Sequence, residues 1–245
     1  MRCIVEGVIG QNVLVRTHVN IVFTIMKRIQ NFFHVFLVTL FLSTLFLMAQ
    51  YVAAQGVTRT YEVSSGGILK LDIETGGSIT VRGWNRDEVD VNIFVSGRDG
   101  GDVIVDLNEI RNGISISTEY EGRNGQADVD IEIHVPAIYD IDLETMGGDV
   151  RLENVRGNVK GHTMGGEVTL IEPEGLDMEL DLEIKLDDRK DWDDYVIVSD
   201  FKLTCERTED SGRRKNMYAS GIVGSGKHRI EIKTVSGNIY LKRGR

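Results

Sequence analysis

Proline and cysteine are the scarce residues of this chain, two of each among 245. So little cysteine excludes a small disulfide scaffold, and so little proline without a Gly-X-Y period excludes a collagen. Basic residues are also in deficit: 28 Lys/Arg face 38 Asp/Glu, for a formal net charge of −10. That sign argues against nucleic acid or anionic lipid as the main partner, because phosphate binding needs a basic surface. Catalytic signatures are sparse as well. After residue 54 there is no G-x-S-x-G, H-x-x-x-H, H-E-x-x-H or C-x-x-C, and His134, His162 and His228 lie far apart in the chain. Glycine is what the chain has in quantity, 27 residues, and with so little proline this points to many tight turns between uninterrupted strands.

The first 54 residues read as an export segment. Lys27 and Arg28 form a basic region, an apolar stretch runs from Phe32 to Met48, and Val52-Ala53-Ala54 supplies small residues for a signal peptidase. The expected cleavage falls between Ala54 and Gln55, so residues 26–54 are the signal peptide. The alternative is an uncleaved membrane anchor, since 17 largely apolar residues lie near the short limit for a span. Residues 1–25 are expected to be an extension from a misassigned start codon, with Met26 the initiator, or else a long n-region. That leader holds four Lys/Arg and one Glu, so the remainder carries 24 basic and 37 acidic residues, or −13. Cys205 is then the lone cysteine, which rules out an intramolecular disulfide. No cysteine follows the apolar stretch, against a lipoprotein anchor.

From Gln55 onward the hydrophobic period is two. Asp128 to Val135, Asp140 to Glu144 and Met178 to Leu186 alternate between Val/Ile/Leu and Asp/Glu/Lys, as strands with one wet side do. No stretch sustains a helical period, so the fold class is all-β. The strands also repeat. Ile141-Asp142-Leu143-Glu144-Thr145-Met146-Gly147-Gly148-Asp149-Val150-Arg151-Leu152 recurs 18 residues later as Val159 to Leu170, and its frame returns as Leu71 to Val81 and as Ile230 to Leu241. Gly100-Gly101-Asp102 and Ser65-Gly66-Gly67 are weaker echoes. Each unit reads strand, glycine corner, polar residue, strand, with structural turns at Gly76, Gly77, Gly147, Gly148, Gly165, Gly166 and Gly237. The polar residue after the corner is expected to bond backbone within the bend. Inward Thr145, Thr163 and Thr234 are expected to stack with locally bonded hydroxyls. Recurrence that keeps its inward positions predicts a single-stranded β-solenoid, a β-helix-like stack of short strands, over an ordinary sandwich. No helix pattern follows any Gly-Gly pair, so these corners are not phosphate loops.

The T-x-G-G-[DE]-V-x-L rungs, together with Gly76-Gly77-Ser78-Ile79-Thr80-Val81-Arg82-Gly83-Trp84 and the leader, resemble the bacterial putative-adhesin family of toast-rack type. The resemblance covers about Val57 to Leu241. It implies an envelope or secreted β-solenoid domain of unknown function, with no catalytic residues to carry over. Residues 187–226 break the rung pattern and read as an irregular insertion in the domain spanning 55–245.

The insertion carries the most suggestive side chains. Asp187, Asp188, Asp191, Asp193 and Asp194 crowd beside Trp192 and Tyr195, and such hard oxygen donors are candidates for Ca²⁺. They lack EF-hand spacing, and a solvated loop is the competing reading. Trp192 and Tyr195, with Arg213, Arg214 and Lys215, are candidate contact residues, the basic ones on a loop that also holds Arg207. Alternation points Cys205 inward with Phe201 and Leu203, an inert thiol. Outward Asp142, Glu144, Asp149 and Glu167 are expected to form a lateral array, and Val57 to Ser64 and Lys242 to Arg245 to cap the stack. No catalytic or cofactor residue is assigned. The expected role is an exported, non-catalytic binding scaffold whose partner is an envelope protein or surface glycan. Its membrane contact would run only through an uncleaved leader. A polysaccharide-acting β-helix enzyme and an envelope stress or signalling accessory are the alternatives.

Overall fold

The computed structural model describes residues 55–122, 125–172, 175, 177–186, 192–209 and 215–244. Residues 1–54, read above as an export segment, and Asp187, Asp188, Asp191, Arg213 and Arg214 lie outside them. Seventeen strands are formed among the described residues. In chain order they are β1 (Gln55–Glu62), β2 (Gly67–Ile73), β3 (Ile79–Trp84), β4 (Glu88–Gly97), β5 (Val103–Ile110), β6 (Gly113–Tyr120), β7 (Ala127–Pro136), β8 (Tyr139–Thr145) and β9 (Val150–Glu153). Then follow β10 (Val159–Thr163), β11 (Val168–Glu172), β12 (Met178–Lys185), β13 (Ile197–Ser199), β14 (Thr204–Glu209), β15 (Lys215–Val223), β16 (His228–Val235) and β17 (Ile239–Arg243). The all-β reading holds: among the described residues the only helical pieces are two three-residue 3₁₀ turns.

The strands form two sheets, ordered β1-β4-β7-β3-β9-β11-β17-β13 and β14-β15-β12-β16-β10-β8-β2-β6-β5. Six consecutive strands of each are parallel, β7 to the edge strand β13 in the first and β12 to β6 in the second, and they pair off as six two-strand rungs with one strand in each sheet. Antiparallel strands flank both ends: β1 and β4 with β5 at one, β14 and β15 at the other. Repeat spacing and pairing agree, since Ile141, Val159 and Ile230 are neighbours in one row and Thr145, Thr163 and Thr234 in another. Rung order is not chain order, however. β2/β3 lies between β6/β7 and β8/β9, and β16/β17 lies between β10/β11 and β12/β13.

Alternation decides the core. Inward Val, Ile and Leu of both sheets form one buried cluster, including Leu69, Val81, Ile131, Leu170, Leu180, Ile232 and Leu241. The outward residues are mainly charged or polar and remain exposed or half-buried, as expected of strands with one wet face. After two of the corners the polar residue reaches the neighbouring rung rather than its own bend, and Asp130 of β7 does the same from the equivalent register position. Asp149 Oδ1 accepts the Glu167 amide at 2.8 Å, Asp130 Oδ1 accepts that of Ser78 at 3.0 Å, and Asn238 Oδ1 accepts that of Val196 at 3.0 Å. On the opposite edge Asp140 Oδ1 accepts the Asn158 amide at 2.7 Å, and Asn158 Oδ1 that of Arg229 at 3.0 Å. Parallel strands leave a backbone donor facing the next rung at each corner, and a short carboxamide or carboxylate satisfies it. Among the stacked threonines, Thr145 Oγ1 donates to the Gly147 carbonyl at 2.8 Å and Thr163 Oγ1 to that of Gly165. The Thr234 hydroxyl is buried without a partner, contrary to the expected local bond.

Four further expectations are corrected. Gly100–Asp102 is a 3₁₀ turn leading into an antiparallel strand and not a rung corner. The described part of 187–226 is largely regular: β13 extends one sheet in parallel, and β14–β15 is an antiparallel hairpin on the other. Arg207 therefore lies on a strand and not in a loop. Cys205 is exposed, because β14 is an edge strand and all six of its residues face solvent. Lys242 and Arg243 belong to β17, an interior strand flanked by β11 and β13, so the C-terminus is not a cap.

Candidate contact surface

The hairpin end gathers several of the singled-out side chains. Trp192, in a 3₁₀ turn spanning Trp192–Asp194, is half-buried and packs with Tyr195 against the core. The Arg207 guanidinium carbon of β14 lies 5.8 Å from the Trp192 ring centre, and Lys215 Nζ of β15 lies 5.7 Å from it. Two cations on one indole are held by its quadrupole. Asp193 Oδ1 stands 4.0 Å from Arg207 Nη2, with its side chain 98% exposed. The structure thus brings Trp192, Asp193, Arg207 and Lys215 together. Among the described residues no three carboxylate, thiol or imidazole groups converge on a metal-sized site. A cation already beside Asp193 works against a second one there.

The outer face of the eight-stranded sheet carries an ion-pair ladder that alternation alone did not reveal. Arg82 bonds both Glu132 and, at 2.9 Å, Glu153, which also receives Arg151. The hydrogen bond to Glu153 raises the Arg82 guanidinium above its ordinary value. Burial works against ionising Glu153, but the two arginines hold its carboxyl below the usual range. Nearby, His134 stacks on Trp84 with ring centres 5.0 Å apart, Arg86 sits 4.7 Å from the same indole, and Trp84 Nε1 donates to the Glu88 carbonyl at 2.8 Å. The Arg82-Gly83-Trp84 segment is therefore engaged within the chain. Near the antiparallel β1/β5 end, Glu62 and Glu109 line a cleft of about 440 Å³ with Ser64 and Asn112.

Glu172 is the titratable group that sequence reasoning missed. It falls on the inward side of β11, 1% exposed, and its Oε2 has no partner. Burial pushes its carboxyl up to about 8 from 4.5. Between those values the folded state keeps a proton that the unfolded chain has lost, so stability falls as pH rises, by about 1.4 kcal/mol per unit. The cost reaches about 3 kcal/mol at pH 7. Urea unfolding at pH 5, 6, 7 and 8 is expected to show this decline in the native chain. Glu172→Gln should flatten it and stabilise the protein at pH 7 and above; an unchanged slope would place the carboxylate in water.

No protein-family model matches the chain, and no curated protein matches it. Solved structures do show a likeness. A putative cell adhesion protein from Clostridium sporogenes is 14% identical with a TM-score of 0.45, over 78% of this chain and 100% of that one. A putative adhesin from Bacteroides fragilis is 14% identical with a TM-score of 0.29, over 76% of this chain and 97% of that one. This chain is similar to them in outline alone.

Proposed function

We propose that this protein is an exported, non-catalytic binding scaffold of the bacterial cell envelope or surface, a solenoid-like body whose outer faces and end hairpin meet a glycan or an envelope protein. The observation that carries the reading is the stack of six in-register parallel rungs. Its corners repeat, and its outward rows place charged side chains at rung spacing. Such a stack is rigid and presents a periodic surface, which suits multivalent contact with a repetitive partner. Antiparallel strands flank the parallel run at both ends of the nine-stranded sheet and at the β1 end of the other, while β13 is an open edge. The leader's basic and apolar regions support export.

Purified protein is expected to bind a class of surface glycan on an array, or to cross-link in cells to one stoichiometric envelope protein, and to release no oligosaccharide from polysaccharide with or without EDTA. Hydrolysis lost in Glu62→Gln or Glu109→Gln would replace this reading with a glycosidase at the β1/β5 cleft. N-terminal sequencing of the protein from fractionated cells should find Gln55 first in an exported fraction. An intact Met1 in the cytoplasm would overturn the compartment and the role together.

A further inference from the structure

Four methionines fall within the described residues. Met178 and Met217 are buried in the core, while Met146 and Met164 are exposed, at 61% and 48%. The two exposed ones are not scattered. Thr145 and Thr163 pair in register on β8 and β10, and the next residue along each strand is Met146 and Met164. The Met164 amide donates to the Thr145 carbonyl at 3.0 Å, so the ladder continues into both methionines. Two positions back on the same strands, Glu144 and His162 are paired in register. Glu144 Oε1 lies 3.9 Å from His162 Nδ1, with the Glu144 side chain exposed and that of His162 half-buried. The 18-residue repeat has therefore built a two-by-two patch of Glu144, Met146, His162 and Met164 on one outer surface.

We propose that this patch binds a monovalent soft metal ion, Cu(I), through the Met146 and Met164 thioethers and the His162 imidazole. Thioether sulfur is a poor ligand for hard or borderline cations and a good one for Cu(I), and imidazole suits copper as well. The spacing fits. Neighbouring strands lie about 4.8 Å apart, close enough for side chains at paired positions to share one ion. Methionine's three rotatable bonds let both sulfurs turn toward a shared point. Glu144 supplies what a ligating histidine needs beyond the metal. A carboxylate on the Nδ1 side favours the proton there and leaves Nε2 as the lone-pair donor. Lys233, the register neighbour of His162 on the far side, is drawn along its own strand by Glu231, with Nζ 2.8 Å from Oε1. Both methionine side chains stand largely in solvent and not in the core, so their sulfurs are open to an ion.

The test uses the Cys205→Ser chain, because the exposed thiol of Cys205 would compete for the same ion. With methyl-labelled methionine, one equivalent of Ag(I), a diamagnetic stand-in for Cu(I), is expected to shift the Met146 and Met164 methyl signals and the His162 ring, leaving Met178 and Met217 in place. In anaerobic competition with a Cu(I) chelator, Met146→Leu and Met164→Leu should each weaken binding about tenfold or more, and Glu144→Gln by a smaller factor. Met178→Leu should not weaken it. An apolar contact patch would be indifferent to methionine-to-leucine exchange. Unshifted Met146 and Met164 methyls at one equivalent, or full Cu(I) affinity in the double leucine variant, would overturn the assignment.

Discussion

A chain stopped after Lys227 is expected not to fold, although it would keep fifteen of the seventeen strands. The missing strands β16 and β17 form a single rung, between β10/β11 and β12/β13. Ile230, Ile232, Ile239 and Leu241 are each at most 1% exposed there. Burying four such side chains is worth roughly 6 to 12 kcal/mol, which matches the whole stability of a typical domain. Their removal also uncovers the facing edges of β10, β11, β12 and β13, each with unpaired donors and acceptors. Removal of β1 is the control, since that edge strand pairs only with β4. Far-ultraviolet circular dichroism and a urea melt should show a cooperative transition for the chain lacking 55–62 and none for the chain ending at Lys227. A cooperative melt of the latter would mean that β10/β11 can dock directly on β12/β13.

The second large effect separates two adjacent glycines. Gly148→Ala is expected to prevent folding or to cost at least about 4 kcal/mol, whereas Gly147→Ala should change stability by no more than about 0.5 kcal/mol. A Cβ on Gly148 would lie 1.6 Å from the Gly77 carbonyl oxygen of the neighbouring rung, and its φ is +93°. A Cβ on Gly147 would meet nothing within 4 Å. The clash is with backbone, which cannot step aside without breaking the stack. Left-handed backbone adds about 1 to 2 kcal/mol for a residue with a side chain. The corner repeats this contact, since a Cβ on Gly166 would lie 2.2 Å from the Gly148 oxygen and one on Gly237 1.9 Å from that of Gly166. The last corner is built differently. There Ser236, in the place of Gly147, takes the positive φ of 61°. Urea midpoints of the two alanine variants decide the matter, and equal midpoints would sink the stacked-corner account.

Much of this architecture is legible in the residues. Alternation marks which side chains are buried in β2, β7 and β8, and the 18-residue recurrence anticipates the register of β8 with β10. Both signals are local. Side chains on a strand point alternately to its two faces wherever the strand goes, and a repeated unit tends to stack on its own copy. Alternation misleads at Cys205, because a period of two says that two faces differ but not that anything covers one of them. At Glu172 it gives no warning, since a carboxylate is not expected on an inward position at the end of a strand. The aromatic and charged residues around Trp192 were visible as a group. Their arrangement was not, because Arg207 and Lys215 reach Trp192 only once β14 and β15 fold back as a hairpin.

The residues alone determined an all-β chain of glycine-cornered strands with one apolar face each. Only the tertiary structure decided the order in which the rungs stack, setting β2/β3 and β16/β17 between partners distant in the chain. The rungs share one pattern, so each can pair with any other, and local sequence holds no preference among neighbours. What selects the order is satisfaction over the whole stack: every inward row must be covered and every corner donor must find its acceptor across a rung. The same stacking puts Met146 beside Met164 and Glu144 beside His162, 18 residues apart in the chain and adjacent on the surface.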